Sequence, residues 1–554
     1  MAGADHTKRN QRAVDVFLRY LKAEGTRYVF GIPGDYVLGF NQKLEESELA
    51  FVTTCDEQGA GFAADAYARL SGLGVVCVTY CVGGLKLANS TAQAYAEKSP
   101  VVVISGSPGM GERCNNPLLH HMVKDFDTQL SIFRELTVAS TVLSDPQTAK
   151  AEIDRVLAAA LAHKRPVYIE LPRDRLNAPM LPSPSRTEPA PDDDPQALAE
   201  ALSEAVGMIK NADRPVVIAG VEMHRFGLAK PLMELLESAR LPFASTILGK
   251  SAVDESSPLY MGLYEGAAGP EDVWRYVESS DCLILLGTFM TDLNLGMYTA
   301  RLEVDRTIYA TSERLSIRRH YYDGISLKGF IEGLTQADLQ VAPALDLPHP
   351  TPAPTFVAVP EQKMTVRRLF EAVNTFLQQA PAIVIADPGD ALFGGADLLL
   401  GSETHFLSPA YYTSLGFAIP AAIGAAFADP SRRPLVLVGD GAFQMTGLEL
   451  STAAKYSLNP IVIILNNAGY GTERPMIDAA FNDVQPWAYS RLTGIIGTGR
   501  GFRIETEGQL EAALCAARAE TDQLCVLEVI LEPNDISPAL RRLTSTLAKR
   551  VRSG

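Results

Sequence analysis

LVLVGDGAFQ (435–444) and IVIILNNAGYG (461–471) share one pattern, a run of aliphatic residues that stops abruptly at Gly, Asp or Asn. Runs of this length with no polar alternation suit strands buried on both faces of a parallel sheet. Asp440 then stands where a strand ends and a helix begins, the edge of an α/β sheet at which ligands bind. Gly439 and Gly441 let the backbone approach an anion, and the unpaired N–H groups of the next helix suit phosphate oxygens. The Asp440 carboxylate repels that phosphate unless a hard divalent cation lies between them. Asn467, 27 residues later at the end of the next strand, supplies a neutral oxygen, and the Gly469 carbonyl a third. Phosphate oxygens can fill the remaining places of a magnesium octahedron. Taken singly, Asp440 reads as a helix cap and Asn466–Asn467 as a turn. Their spacing and strand context together favour the cation.

Similar aliphatic runs occur at 75–80, 101–105, 215–219, 282–287, 383–386 and 525–530. Helix-length segments lie between strands, among them 61–70, 85–96, 198–210 and 445–456. The alternation implies parallel sheets with helices on both faces. Residues 181–195 and 341–360 are rich in Pro and acid, the composition of extended connectors. They divide the chain into 1–182, 195–342 and 358–554, three doubly wound α/β domains. Laying 75–106 on 435–466, an offset of 360 without a gap, matches Val76 to Val436, Val78 to Val438, Ala94 to Ala454 and Pro100 to Pro460. The first and third domains therefore read as versions of one unit. Tyr80 falls on Asp440 and Gly106 on Asn466, so only the later copy carries polar ligand chemistry.

At 554 residues the chain is too long for one core, and 47% hydrophobic with 21% charged residues is the make-up of a folded globular protein. A formal charge of −16 repels nucleic-acid backbones and anionic lipid surfaces, so neither is an expected partner. No stretch reaches the roughly 20 apolar residues that span a bilayer, and the first dozen residues lack a signal-peptide core. The expected compartment is the cytoplasm. Seven scattered cysteines without a CxxC pair read as reduced thiols.

These motifs resemble the thiamine diphosphate-dependent 2-oxo acid decarboxylases, the group that contains pyruvate, indolepyruvate and phenylpyruvate decarboxylases. The resemblance is carried by GIPGDY (31–36), EQGAGFAADAYAR (57–69) and LLHH (118–121) in the first domain. In the third it is carried by SLGFAIPAAIGAAFA (414–428), GDGAFQMTGLEL (439–450) and NNAGYGTER (466–474). It implies an N-terminal pyrimidine-binding domain, a central Rossmann-like domain and a C-terminal diphosphate-binding domain. The implied cofactors are thiamine diphosphate and Mg²⁺, with Asp440, Asn467 and Gly469 on the metal and Gly441 and Ala442 beside the diphosphate. Glu57 is implied to activate the cofactor at N1′ of its aminopyrimidine across a subunit boundary. Leu415 matches the aliphatic wedge that holds the cofactor bent, and the Thr413 carbonyl the acceptor for its 4′-amino group. Asp35, His120, His121 and Glu473 resemble the group that protonates the enamine left after the ylid has attacked the 2-oxo carbon and CO₂ has departed. Metal binding by the His pair is the weaker reading, since adjacent residues on an extended chain point apart.

Thr472 and Met476, where pyruvate-specific members carry aliphatic residues, and Asp292 in FMTDLNLG point to an aromatic or longer aliphatic 2-oxo acid. Asp390, in the cofactor-binding set, replaces a small hydroxyl residue, and Cys81 replaces a usual glycine. The implied reaction is non-oxidative decarboxylation to an aldehyde and CO₂. A carboligase of the acetohydroxyacid synthase kind shares Glu57, GDG and NN but generally lacks the His pair and Glu473. A non-catalytic cofactor-binding protein is the reading from another class. A homodimer is the minimum assembly implied and a homotetramer the expected one.

Overall fold

An aliphatic run with no polar position has no face to give to water, so it folds stably only with helices over both sides. The computed structural model describes residues 12–179, 193–342, 346–350 and 354–551. Within them the runs form strands, Pro215–Ala219 and Cys525–Ile530 with the expected bounds and Val101–Ser107 and Arg433–Gly439 running further. Three sheets result, and full burial of each Val or Ile in them stabilises the fold by about 1.5–3 kcal/mol.

The first sheet is wholly parallel, in the order Ala50–Thr53, Tyr28–Gly31, Gly74–Val78, Val101–Ser107, Val167–Pro172, Ala139–Val142. The third is also parallel, in the order His405–Leu407, Ala382–Ala386, Arg433–Gly439, Ile461–Asn466, Cys525–Ile530, Arg500–Ile504. Counted along the chain, both sheets place their strands second, first, third, fourth, sixth, fifth, which is the topology the internal repeat implies. The gapless match holds only strand by strand. Val75 pairs with Val102, whereas Leu435 pairs with Ile461 and not with Val462.

The middle sheet departs from the all-parallel expectation. Tyr260–Leu263, Phe243–Ser245, Pro215–Ala219, Cys282–Leu286 and Thr307–Ala310 lie parallel, but Leu315–Ile317 and His320–Tyr322 add an antiparallel edge. The cause is local. Short turns join these last strands, one of them with Arg318 at φ 54°, and a parallel pairing needs a crossover of a dozen residues or so.

Two compact units hold the three sheets: Met1–Ala190 with Ile419–Ser431 and Thr446–Tyr456, and Pro191–Ala418 with Arg432–Met445 and Ser457–Gly554. The expected connector at 181–195 falls mostly on 180–192, outside the described residues. So do 343–345 and 351–353 of the second connector, whose described part has neither helix nor strand. In the second unit one hydrophobic cluster joins Val221, Ile247 and Leu248 of the middle region to Phe370, Leu392 and Leu437 of the C-terminal region.

In the first unit the helix Glu57–Ser71 starts at Asp56, whose side chain accepts the Gln58 N–H at 2.8 Å, and stops at Gly72 with φ 94°. It is buried along almost its whole length. That burial requires glycine at 59, where a Cβ would overlap the Glu449 carboxylate. The expected single helix at 445–456 is instead Asp440–Thr446, a 3-10 turn Gly447–Glu449 and Leu450–Lys455. The segment at 85–96 likewise begins as a 3-10 turn, Gly84–Leu87, before Ala88–Ala96.

Candidate active site

The C-terminal ends of Arg433–Gly439 and Ile461–Asn466 open onto a cavity of about 370 Å³ in the second unit. Asp440, Gly441, Ala442, Asn467 and Gly469 line it on the sheet side. Asp390, Thr413 and Leu415 line it from the neighbouring loops, and Thr472, Glu473, Met476 and Asp292 complete the wall. Every expected cofactor, metal and substrate residue of the second unit thus faces one space.

Asp440 is 1% exposed and Asn467 8%. Burial pushes the Asp440 carboxyl up to about 6, with the backbone N–H groups of Gly441 at 2.7 Å and Gly469 at 3.1 Å acting against it. The turn that presents Gly469 is held by Arg474, which donates to the Ala468 carbonyl at 3.2 Å and pairs with Asp478 and Asp483. Only glycine suits position 469, because φ is 157° and a Cβ would strike the Asn482 carbonyl. A carboxylate, a carboxamide and a backbone carbonyl are hard oxygen donors of the kind that hold Mg²⁺. The Asp390 carboxyl, pushed up to about 6 by burial, accepts the Ser537 N–H at 2.9 Å through Oδ2, while Oδ1 is buried without a partner. These oxygens and the adjoining glycines fit a diphosphate–magnesium group.

Thr413 has φ 57°, a left-handed conformation that β-branched residues rarely adopt. Its loop is braced by Asp387, fully buried at the end of Ala382–Ala386, which accepts from Gly416 and Ala418. Asp387 and Arg474 brace the segments that line the cavity, and sequence reasoning missed both. An acid ending an aliphatic strand was the available signal for the first, and the Arg directly after Glu473 for the second.

Glu57, Asp35, His120 and His121 belong to the first unit and Glu473 to the second. His120 Nε2 lies 2.6 Å from Asp35 Oδ2 and His121 Nε2 3.7 Å from Asp35 Oδ1. The extended chain expected at 120–121 is not present. His121 has φ 68°, and this turn swings both imidazoles toward one carboxylate, with their ligand atoms and that of Asp35 all within 4.8 Å. Burial acts to raise the Asp35 carboxyl, but the hydrogen bond from His120 and the charges of both imidazoles outweigh it, so it sits below its usual value. The buried Tyr36 ring stacks on His120 at 4.9 Å, with the Arg173 guanidinium 5.0 Å from its own centroid. Glu57 opens its helix and pairs with Lys86.

Cys81 is buried at φ 48°, the conformation for which glycine is better suited, and burial raises its thiol, which disfavours the reactive thiolate. All seven cysteines are free. Among the described residues no helix is long and apolar enough to cross a membrane.

Three family models match in chain order. They are the N-terminal TPP binding domain of thiamine pyrophosphate enzymes at residues 11–131, the central domain at 202–337 and the C-terminal TPP binding domain at 395–529. An indole-3-pyruvate decarboxylase of Azospirillum brasilense is 37% identical over 540 residues, 96% of this chain and 97% of the relative. An alpha-keto-acid decarboxylase of Mycolicibacterium paratuberculosis is 34% identical over 541 residues, 96% of this chain and 95% of that one. One of Mycobacterium tuberculosis is 34% identical over 547 residues, 96% and 97% of the two chains.

Proposed function

The chain belongs to the thiamine pyrophosphate-dependent 2-oxo acid decarboxylases, and within that family we propose that it converts an aromatic or longer aliphatic 2-oxo acid to the aldehyde and CO₂. The observation that carries this is the single cavity onto which Asp440, Asn467, Gly469, Asp390, Thr413, Leu415 and Glu473 all open. Bound there, thiamine diphosphate supplies the electron sink that a 2-oxo acid lacks. Asp440, Asn467 and the Gly469 carbonyl would hold Mg²⁺ and through it the diphosphate. The Thr413 carbonyl would accept from the amino group of the pyrimidine ring, with Leu415 packed beneath. Glu57 of a neighbouring protomer would face the ring nitrogen and share its proton. Asp35, His120, His121 and Glu473 would deliver a proton to the carbon that loses CO₂. General acid–base help of this kind is worth about 10²–10⁴-fold.

Two features support the larger substrate. Thr472 and Met476 border the cavity beside Glu473 with Gly471, which adds no side chain to the wall. The Azospirillum relative is named for indole-3-pyruvate. The proposal includes three domains bounded at 1–182, 195–342 and 358–554, a homodimer as the least active unit and a homotetramer as the assembly. It also places the protein in the cytoplasm, where seven unpaired cysteines are at home.

The test is aldehyde and CO₂ release from pyruvate, branched-chain 2-oxo acids, phenylpyruvate, indolepyruvate and benzoylformate, with thiamine diphosphate and Mg²⁺. Efficiency on an aromatic substrate should exceed that on pyruvate by about tenfold or more. Equal or greater efficiency on pyruvate overturns the substrate assignment, and no aldehyde from any of them overturns the reaction.

A further inference from the structure

An extended backbone at 120–121 would point the two imidazoles apart, and the left-handed φ of 68° at His121 removes that obstacle. His120 Nε2 lies 2.6 Å from Asp35 Oδ2 and His121 Nε2 3.7 Å from Asp35 Oδ1, and one ligand atom from each of the three residues falls within 4.8 Å of the others. Ligand atoms held about 2.0–2.2 Å from a tetrahedral centre lie about 3.3–3.6 Å from one another. The present separations bracket that spacing, and all three residues are exposed, so their side chains can make up the difference. The two rings meet edge to face, with centroids 4.7 Å apart and planes at 71°. His120 is steadied from its other side by the buried Tyr36, whose ring stacks on it at 4.9 Å and whose hydroxyl lies 3.5 Å from Nδ1. An outer partner at the second ring nitrogen is the usual companion of a metal-bound imidazole. Arg173, the cation over the Tyr36 ring, donates from Nε to the Glu112 carboxylate at 2.8 Å, so this pair adds no net positive charge to the corner.

Two imidazoles and one carboxylate are a donor set for zinc and its neighbours, whereas Mg²⁺ takes oxygen ligands. We propose that Asp35, His120 and His121 form a second metal site, which takes Zn²⁺ and related divalent transition ions and differs in chemistry from the oxygen set of Asp440, Asn467 and Gly469. Three protein ligands leave the fourth place of the tetrahedron to solvent. An ion held there occupies both Nε2 atoms and the carboxylate, so none of the three can carry a proton, and the ion acts as a reversible inhibitor that Mg²⁺ does not displace. The binding stands apart from the function proposed above. The inhibition rests on the proton-handling role given there to these residues.

The probe is Co²⁺, followed by Zn²⁺, added to the full-length protein already loaded with thiamine diphosphate and saturating Mg²⁺. One equivalent of Co²⁺ should bind with the visible ligand-field bands of nitrogen and oxygen ligands, and Zn²⁺ should displace it. The near-ultraviolet charge-transfer band of a thiolate should be absent, which separates this site from the exposed Cys55, Cys114 and Cys515. Asp35→Ala, His120→Ala and His121→Ala should each cut Co²⁺ affinity by about 10²-fold or more, beyond the roughly 10–100-fold that loss of an outer partner costs. Circular dichroism should show the fold retained in all three, since each side chain is exposed. Wild-type turnover should fall in step with Zn²⁺ occupancy, return with a zinc-selective chelator and not return with added Mg²⁺. A thiolate band, the lack of a saturable equivalent, or affinity unchanged in the three variants overturns the site. Zn²⁺ bound at these residues with wild-type turnover undiminished overturns instead the inhibition and the proton-handling role on which it rests.

Discussion

Asp387 accepts the Ala418 N–H at 2.7 Å and, through its other oxygen, the Gly416 N–H at 2.9 Å. One fully buried carboxylate thus closes the loop that carries Thr413 and Leu415 into the cavity. Asp387→Ala removes the carboxylate acceptor from both N–H groups, each loss costing about 1–3 kcal/mol. The urea midpoint should fall accordingly, and affinity for thiamine diphosphate should fall with it because the Thr413 carbonyl is no longer fixed. A variant with the wild-type midpoint and affinity would show that the loop holds itself.

Asp440 and Asn467 give the metal prediction. Asp440→Asn keeps the size and removes the charge, so a cation bound as proposed would lose its anionic protein ligand. Cofactor affinity should drop by about 10²-fold or more, the effect of removing one partner of a buried charge pair. Wild-type protein should gain about 2.7 kcal/mol of stability at a cofactor concentration of 100 Kd with magnesium present. Chelation should abolish that gain in the wild type and change nothing in Asp440→Asn. A gain that survives chelation in the wild type refutes the cation bridge.

The parts of this site that were legible in the sequence are those where chemistry and backbone geometry coincide on short segments. GDG and NN sit at ends of unbroken aliphatic strands, and their spacing is set by one strand–helix–strand unit, so Asp440, Asn467 and Gly469 could be placed together from the chain alone. Asp387 acts through backbone N–H groups of residues further along the chain, and Arg474 through the carbonyl of Ala468, six residues before it, relationships that GDG and NN do not report. The antiparallel edge of the middle sheet depends on strands of only three residues, too short for any period to emerge. The turn at the His pair was not foreseen, because one left-handed φ at His121 reverses the direction of a side chain and nothing in LLHH announces it.

The 2.6 Å contact between His120 Nε2 and Asp35 Oδ2 joins the two proposed proton-handling residues in one hydrogen-bonded pair. If the pair serves the reacting carbon as proposed, His120→Ala should lower kcat by about 10²–10⁴-fold and leave the calorimetric affinity for thiamine diphosphate unchanged. Residues that act as a unit are strongly non-additive. Asp35→Asn with His120→Ala should therefore be little slower than His120→Ala alone. Single-turnover rates for the four proteins of the cycle decide it, and simple multiplication of the two effects would mean that Asp35 and His120 work separately.

The buried carboxyls set the pH dependence of the cofactor-free protein. Burial raises Asp440 and Asp390 to about 6 and Glu265 to about 7, whereas each titrates near 4 when unfolded. Between those values the folded state binds more protons than the unfolded state, so stability falls as pH rises and levels off once the folded groups have ionised. Each group contributes up to about 3 kcal/mol to that fall. Below about pH 4 the trend reverses, because carboxylates held down by partners, such as Asp35 with its two histidines, become protonated. Urea midpoints of the cofactor-free protein should accordingly be highest near pH 5 and lower at pH 8. Asp390→Asn removes one raised group and should flatten the slope between pH 5 and 7. Thiamine diphosphate with Mg²⁺ should flatten it further, because a cation on Asp440 stabilises the ionised carboxylate that burial alone disfavours. A cofactor-free protein equally stable at pH 5 and pH 8 would mean that water reaches these carboxylates.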